Sequence, residues 1–109
     1  MSREIKREIY QAEVPKKQGN NPSTSESSYT VPAGKSLRIE RFAGGFEHST
    51  HECRIELLAD DDLIAVGYAG AFQYTVDIDI PENVAVKIKL FNGDPGVLNM
   101  AGWWEGVVR

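Results

Sequence analysis

Few side chains in this 109-residue chain are of a type and spacing that could do chemistry. His48-Ser-Thr-His51-Glu52 is the one segment where a metal ion or a general base would find imidazoles close together. Two histidines share one face of a strand at a spacing of i, i+2, whereas at i, i+3 they leave by opposite faces. The spacing therefore predicts a polar loop. Asp60-Asp61-Asp62 and Asn92-Gly93-Asp94 gather oxygens of the kind calcium takes. Three consecutive aspartates point three ways, however, and Asn-Gly-Asp is ordinary turn chemistry. Ser23, Ser25, Ser27, Ser28, Ser36 and Ser49 lie outside any nucleophile elbow and lack a patterned His–Asp partner. No glycine-rich loop opens a helix around a phosphate. The expectation is a protein without a cofactor, a metal or a catalytic site.

Composition points the same way. The chain is 41% hydrophobic and 26% charged, ordinary for one globular domain. No apolar stretch approaches the ~20 residues of a membrane helix, and the start, Met1-Ser-Arg-Glu-Ile-Lys-Arg-Glu8, lacks the apolar run of a secretory signal. Synthesis and folding in a cytoplasm, with no membrane partner, are expected. Net charge is −4 and uneven: residues 1–17 carry five basic and three acidic side chains, the remainder seven and thirteen. An acidic body argues against nucleic acid, whose phosphates need clustered Lys and Arg. The lone Cys53 alternates in phase with Ile55 and Leu57, as a small core hydrophobe would, and excludes an internal disulfide.

Three zones follow from composition. Residues 1–15 form an N-terminal arm, residues 16–28 a flexible linker rich in Pro, Gly, Asn and Ser, and residues 29–109 a folded body. Period-two alternation and frequent turn signals make the body all-β. Leu37 and Ile39 share a face but Phe42 falls out of phase, which predicts a β-bulge near Arg41. Cys53–Ala59 turns at Asp60–Asp62 and returns through Leu63–Tyr68. In the next strand Phe72, Tyr74, Val76, Ile78 and Ile80 point one way, and Gln73, Thr75, Asp77 and Asp79 the other. Val84–Leu90 carries Lys87 and Lys89 outward, so the two strands are expected to pair as a hairpin, Asp opposite Lys. The sum is an antiparallel β-sandwich of jelly-roll type, about eight strands, with an extended arm.

The most informative side chains are then Trp103 and Trp104. Alternation places Leu98, Met100, Gly102, Trp104, Gly106 and Val108 on an uncharged face, hence inward, and Asn99, Trp103 and Glu105 outward. Leu58 and Phe91 also fall at outward positions. Together Trp103, Phe91, Leu58, Asn99 and Glu105 form the candidate binding surface, if the strands bring them together; a covering loop or the arm would equally account for them. Arm residues Ile5, Ile9, Tyr10 and Val14 could add a strand to a neighbouring sheet edge.

Tyr29-Thr-Val-Pro-Ala-Gly-Lys-Ser-Leu-Arg-Ile39, the strand segment Ile55-Glu-Leu-Leu58 and the closing Gly102-Trp-Trp-Glu-Gly106 resemble small jelly-roll structural proteins of tailed bacteriophages. In these a VPAGK-type hairpin opens the sandwich and a Gly-x-Trp-x-Gly strand closes it. The likeness runs from Tyr29 to the end, and no functional residue carries over. It implies a virion component, either a capsid decoration protein or a tail or fibre accessory module. Such a component would be assembled in the host cytoplasm as a homo-oligomer, a trimer for preference, in contact with other virion proteins. A competing reading from another class is a carbohydrate- or receptor-binding module, with Trp103 stacked on a sugar ring and Asn99 and Glu105 as polar partners.

Overall fold

A computed structural model describes residues 4–47, 52–68 and 70–109. Eight strands make up the fold: β1 (Glu4–Val14), β2 (Ser23–Thr30), β3 (Leu37–Phe46), β4 (Cys53–Ala59), β5 (Asp62–Gly67), β6 (Ala71–Ile80), β7 (Ala85–Asn92) and β8 (Leu98–Val108). They form two four-stranded antiparallel sheets, ordered β1-β8-β3-β6 and β2-β7-β4-β5. The molecule is a β-sandwich.

Alternation builds the core. Leu37, Ile39, Phe42, Met100, Trp104 and Val14 come from one sheet and Ile55, Leu57, Val86, Ile88 and Leu90 from the other, all at 0–1% exposure. Cys53 is buried among them. Ile39 and Phe42 both reach this core because the register slips between Ile39 and Arg41. Relative to β8 the extra residue is Glu40, which breaks the alternation once and restores it. Along β8 the inward positions are Gly102, Trp104 and Gly106. A Cβ on Gly102 would lie 2.8 Å from Ile88 Cγ2, and one on Gly106 would lie 2.3 Å from the Arg38 carbonyl oxygen. The glycines let the facing sheet and the neighbouring strand close around one large indole, which packs on Tyr29 at 5.6 Å between ring centroids.

Three expectations need correction. Residues 1–15 are not a free arm: β1 pairs with β8 along its whole length, from Glu4 opposite Val108 to Val14 opposite Leu98. Residues 16–28 are not a flexible linker either, because Ser23–Thr30 is β2, paired with β7 from Ser23 opposite Asn92 onward. What joins them is a turn closed by reciprocal backbone bonds of 2.9 Å between Gln18 and Asn21. Ladder bonds are made by backbone and are indifferent to a polar side-chain composition. The third correction concerns hairpins. β6 pairs with β3 and β7 with β2 and β4, so Pro81–Asn83 is a corner between sheets. Pro32–Lys35 is likewise a corner, a turn with Lys35 N–H on the Pro32 carbonyl at 3.1 Å and Gly34 at φ 78°. The charge pattern specified the sign of each strand's partner and not its identity: Asp77 and Asp79 are met by Arg38 of β3.

One buried polar side chain ties the ends of β1, β4 and β7 to the turn that leads into β8. Asn92 has no exposure. Its Nδ2 donates to the carbonyls of Val14 (3.0 Å), Pro15 (3.0 Å) and Gly96 (2.9 Å), and its Oδ1 accepts from the Asp94 N–H (2.8 Å) and the Cys53 thiol (3.6 Å). Two amide hydrogens serve three carbonyls, so one is shared. Read from sequence this was only a turn residue. Replacing it with Leu leaves these groups without a partner and should lower stability by about 2–3 kcal/mol. Urea unfolding with an unchanged slope is the measurement, and a loss below about 0.5 kcal/mol would mean the carbonyls find water instead.

Candidate functional site

The outer face of the β1-β8-β3-β6 sheet carries Trp103. It sits between Ile9 of β1 and Ala43 of β3 in register, half-buried, with the Arg7 guanidinium 5.0 Å from its ring centroid. Arg7 in turn donates to Glu105 Oε1 at 2.8 Å. Ala43 is only 5% exposed on this outward position. The indole is thus held between a small buried neighbour and an arginine clamped by a carboxylate. Stacking a sugar on it would require Arg7 to move off the ring. Asn99, two rows away, is exposed, and its backbone N–H donates to Glu47 Oε1 at 3.0 Å.

Phe91 and Leu58 lie on the outer face of the other sheet, so the structure does not bring them to Trp103. Phe91 is 7% exposed beneath Arg54, whose guanidinium lies 3.7 Å from the ring centroid and is bonded to Glu56 at 2.9 Å. In register Phe91 faces Arg54 while Leu58 faces Lys87, four residues further along β4. Outward phase was legible from sequence, but which strands lie side by side was not. The expected five-residue surface is split between two faces and largely roofed by arginines.

The arm residues are divided as well. Ile5 and Ile9 project outward from β1 at 75% and 63% exposure, while Val14 is fully buried. Tyr10 turns inward and shares a hydrogen bond with the Ser25 hydroxyl of β2. On the same flank the Lys6 ammonium lies 5.0 Å from the Tyr29 ring centroid and 3.2 Å from Glu8, whose hydrogen bond and charge raise the lysine above its ordinary pKa. These contacts close the sandwich between β1 and β2. β1 is thus an edge strand of its own sheet, paired with β8 on one side only.

The opposite flank, between β5 and β6, is open. Both are edge strands, and among the described residues neither has a partner beyond β4 and β3 respectively. A cleft of about 550 Å³ is lined by Ile64, Ala65 and Val66 of β5 and by Tyr74–Ile78 of β6. It continues past Ile64 and Ile78 into a second hollow of about 390 Å³ reaching Ile80 and Val84. Leu63 (55%), Tyr74 (41%) and Ile78 (37%) are the large apolar side chains left in water here. Alternation correctly put Tyr74 and Ile78 on the inward side of β6. At an edge, though, inward phase does not guarantee cover.

Both edge strands are bulged: Ile64 is extra in β5 opposite Leu57 and Leu58, and Val76 with Asp77 stand opposite the single Glu40 of β3. Asp77 sits at φ 65°. Its carboxylate and that of Asp79 (3.1 Å) are held by Arg38. The Asp79 hydrogen bond, then the two negative charges, raise the guanidinium above its ordinary pKa. One guanidinium therefore offsets half the charge of these two carboxylates from within the chain.

Asp60 accepts from the Ala85 N–H at 2.9 Å with φ 53°, and Asp61 lies 3.8 Å from Lys87, so the aspartate run is a turn. Among the described residues no group of His, Cys, Asp and Glu is placed to hold a metal ion. His48 and His51 lie outside the described residues. No described helix is long and apolar enough to cross a membrane.

No protein-family model matches the chain, and no curated protein sequence matches it significantly. Solved structures resemble it in part. VP2 of an infectious bursal disease virus subviral particle superposes with a TM-score of 0.51 at 16% identity, over 96% of this chain and 32% of that one. The CBM36-1 domain of a multidomain xylanase from the hindgut metagenome of Trinervitermes trinervoides gives 0.48 at 14% identity, over 93% of this chain and 96% of that one. At such identities the likeness is one of β-sandwich fold alone.

Proposed function

We propose that this chain is a non-enzymatic assembly module that docks on neighbouring subunits through the open β5–β6 flank. The observation that carries the reading is the apolar cleft with Leu63, Tyr74 and Ile78 left in water, on a molecule whose other flank is bridged by polar contacts. Exposed apolar surface gathered at one place marks an interaction site. The strand order, with β1-β8-β3-β6 facing β2-β7-β4-β5, supports reading the sandwich as a jelly roll, an arrangement common in viral capsid domains. That order, with a fold shared with part of the VP2 protein of a subviral particle, is why a virion is the setting proposed. The role is that of a phage capsid decoration or tail accessory protein, in contact with copies of itself or other virion proteins.

The test is recovery of tagged chain with particles purified from producing cells. Ile78→Glu and Tyr74→Glu place a charge in the cleft and should reduce co-purification at least about tenfold, the effect of losing one interface anchor. Ile9→Glu, on the outer face of β1, serves as the exposed-apolar control. Equal recovery of all four proteins would remove the flank from assembly.

A further inference from the structure

Beyond the assembly reading above, and on the opposite flank, we infer that β1 pairs antiparallel with β1 of a second copy across a two-fold axis at Arg7. Four strands have a free edge: β1, β2, β5 and β6. A free edge is a template for a further strand unless a bulge or other device spoils it. β5 and β6 are both bulged. β1 is not: over its 11 residues it meets β8 one for one, so its outer row of backbone N–H and C=O groups is continuous. β2 is regular as well, but its outward side chains are Thr24, Glu26, Ser28 and Thr30, with nothing apolar to cover. β1 carries Ile5 and Ile9 outward at 75% and 63% exposure.

The sequence of β1 identifies the occupant as a second copy. Only an axis on a residue keeps inward side chains opposite inward ones, and each position then faces its mirror across that residue. With the axis at Arg7, Ile5 of each copy faces Ile9 of the other, and Lys6 of each faces Glu8 of the other. Both exposed isoleucines are covered, and the inward charges meet their opposites, the favourable cross-strand arrangement. Glu4 faces Tyr10. At the axis the two Arg7 guanidiniums meet, each already bonded to its own Glu105 at 2.8 Å. No other axis on β1 does this. One at Lys6 sets Glu4 against Glu8, one at Glu8 sets two carboxylates together, and one at Ile9 sets Ile5 against Glu13. An axis at Ile5 joins only Glu4–Lys6 of each copy, and one beyond Ile9 leaves Ile5 uncovered.

The product is a closed dimer with one continuous sheet, β6-β3-β8-β1 of one copy running into β1-β8-β3-β6 of the other. Both β1 edges are used up, so the pairing stops at two and does not grow into a fibre. The two-fold takes the place of the trimer expected from sequence. It leaves the two β5–β6 clefts at opposite ends of the dimer, free for the docking proposed above.

Charge exchange between copies of the full chain tests the register. Lys6→Glu sets carboxylate against carboxylate in its own dimer, and Glu8→Lys sets ammonium against ammonium. Each alone should associate at least about tenfold more weakly than the wild type. In an equal mixture the two variants meet with opposite charges at these positions, and a dimer of one of each should reappear in sedimentation equilibrium. A defect inside either chain is the same mixed or alone, so only a contact between copies gives this recovery. The wild type should sediment at twice the chain mass. Independently, oxidation of Ile5→Cys mixed with Ile9→Cys should give a disulfide-linked dimer, and neither alone should, Cys53 being buried. A monomeric or trimeric wild type, mixed charge variants that stay apart, or Ile9→Cys linking to itself overturns the pairing. Ile9→Glu should be monomeric yet co-purify with particles as the wild type does. A monomeric wild type whose recovery with particles is still lost in Ile78→Glu strikes this pairing and leaves the assembly reading. A dimeric wild type whose recovery is unaffected by Ile78→Glu does the reverse.

Discussion

Deleting residues 1–14 should abolish cooperative folding of this protein. The truncation removes β1 and with it every ladder bond on one side of β8, from Glu4 opposite Val108 to Val14 opposite Leu98. It takes out Val14, which is fully buried, and the Val14 carbonyl that Asn92 holds. It also uncovers Tyr29 and Ser25, which Lys6 and Tyr10 contact across the sandwich. Domains of this size are stabilised by about 5–15 kcal/mol in total, and burial of one aliphatic side chain alone contributes about 1.5–3 kcal/mol. A central strand left as an edge would also expose Trp104 and Met100 on its inner face. The measurement is near-ultraviolet circular dichroism with thermal unfolding. Loss of the aromatic signal and of a single sharp transition is expected. A truncated protein that keeps both would return residues 1–14 to the status of an arm. Ile5→Lys, which changes only an outward side chain, should melt within a few degrees of the wild type.

That outcome bears on what could be read from sequence. In β1 the alternation runs against the usual sense: Ile5 and Ile9 face water, while Lys6, Glu8 and Tyr10 face the sandwich. A reader of periodicity sees a strand with its apolar side outward and takes it for something that must pair elsewhere. β2 is harder still. Its serines offer almost no apolar surface, and composition of that kind signals disorder. The strand exists because β7 supplies a backbone ladder and because Ser25 and Tyr29 find partners on β1. Those partners are distant in the chain, which composition cannot register.

Where the partner is the core itself, sequence was informative. The slip at Ile39–Arg41, the β4–β5 hairpin and the inward face of β8 all follow from which side chains need cover. The candidate site was not legible, for a related reason. Phase assigns Trp103, Phe91 and Leu58 to the outside, but strand order puts them on two sheets, and Arg7 and Arg54 then cover two of them. Conversely, Tyr74 and Ile78 have core phase and stay wet because β6 ends a sheet. Phase is local, whereas cover depends on which strand lies opposite.

The adjacent tryptophans make that distinction measurable. Trp104→Ala should destabilise the protein by about 3–5 kcal/mol, and by the upper part of that range for a structural reason. The residues on either side along the inward row are Gly102 and Gly106, each packed too closely to carry a Cβ without displacement. No neighbouring side chain of β8 can swing into the hole, and the two sheets are held apart by the surrounding Leu, Ile and Phe residues at 0–1% exposure. The cavity therefore relaxes little, which is the condition under which large-to-small changes cost most. Trp103→Ala removes instead a half-buried ring whose specific partner is Arg7, an interaction of about 0.5–1 kcal/mol at exposed sites. Urea unfolding of the two variants should separate them by at least about 2 kcal/mol, with the slope unchanged for Trp103→Ala. The reverse order would place Trp103 in the core, move the register of β8 by one residue and expose its glycine row. The inward Gly-x-Trp-x-Gly pattern would then have no sheet to close against.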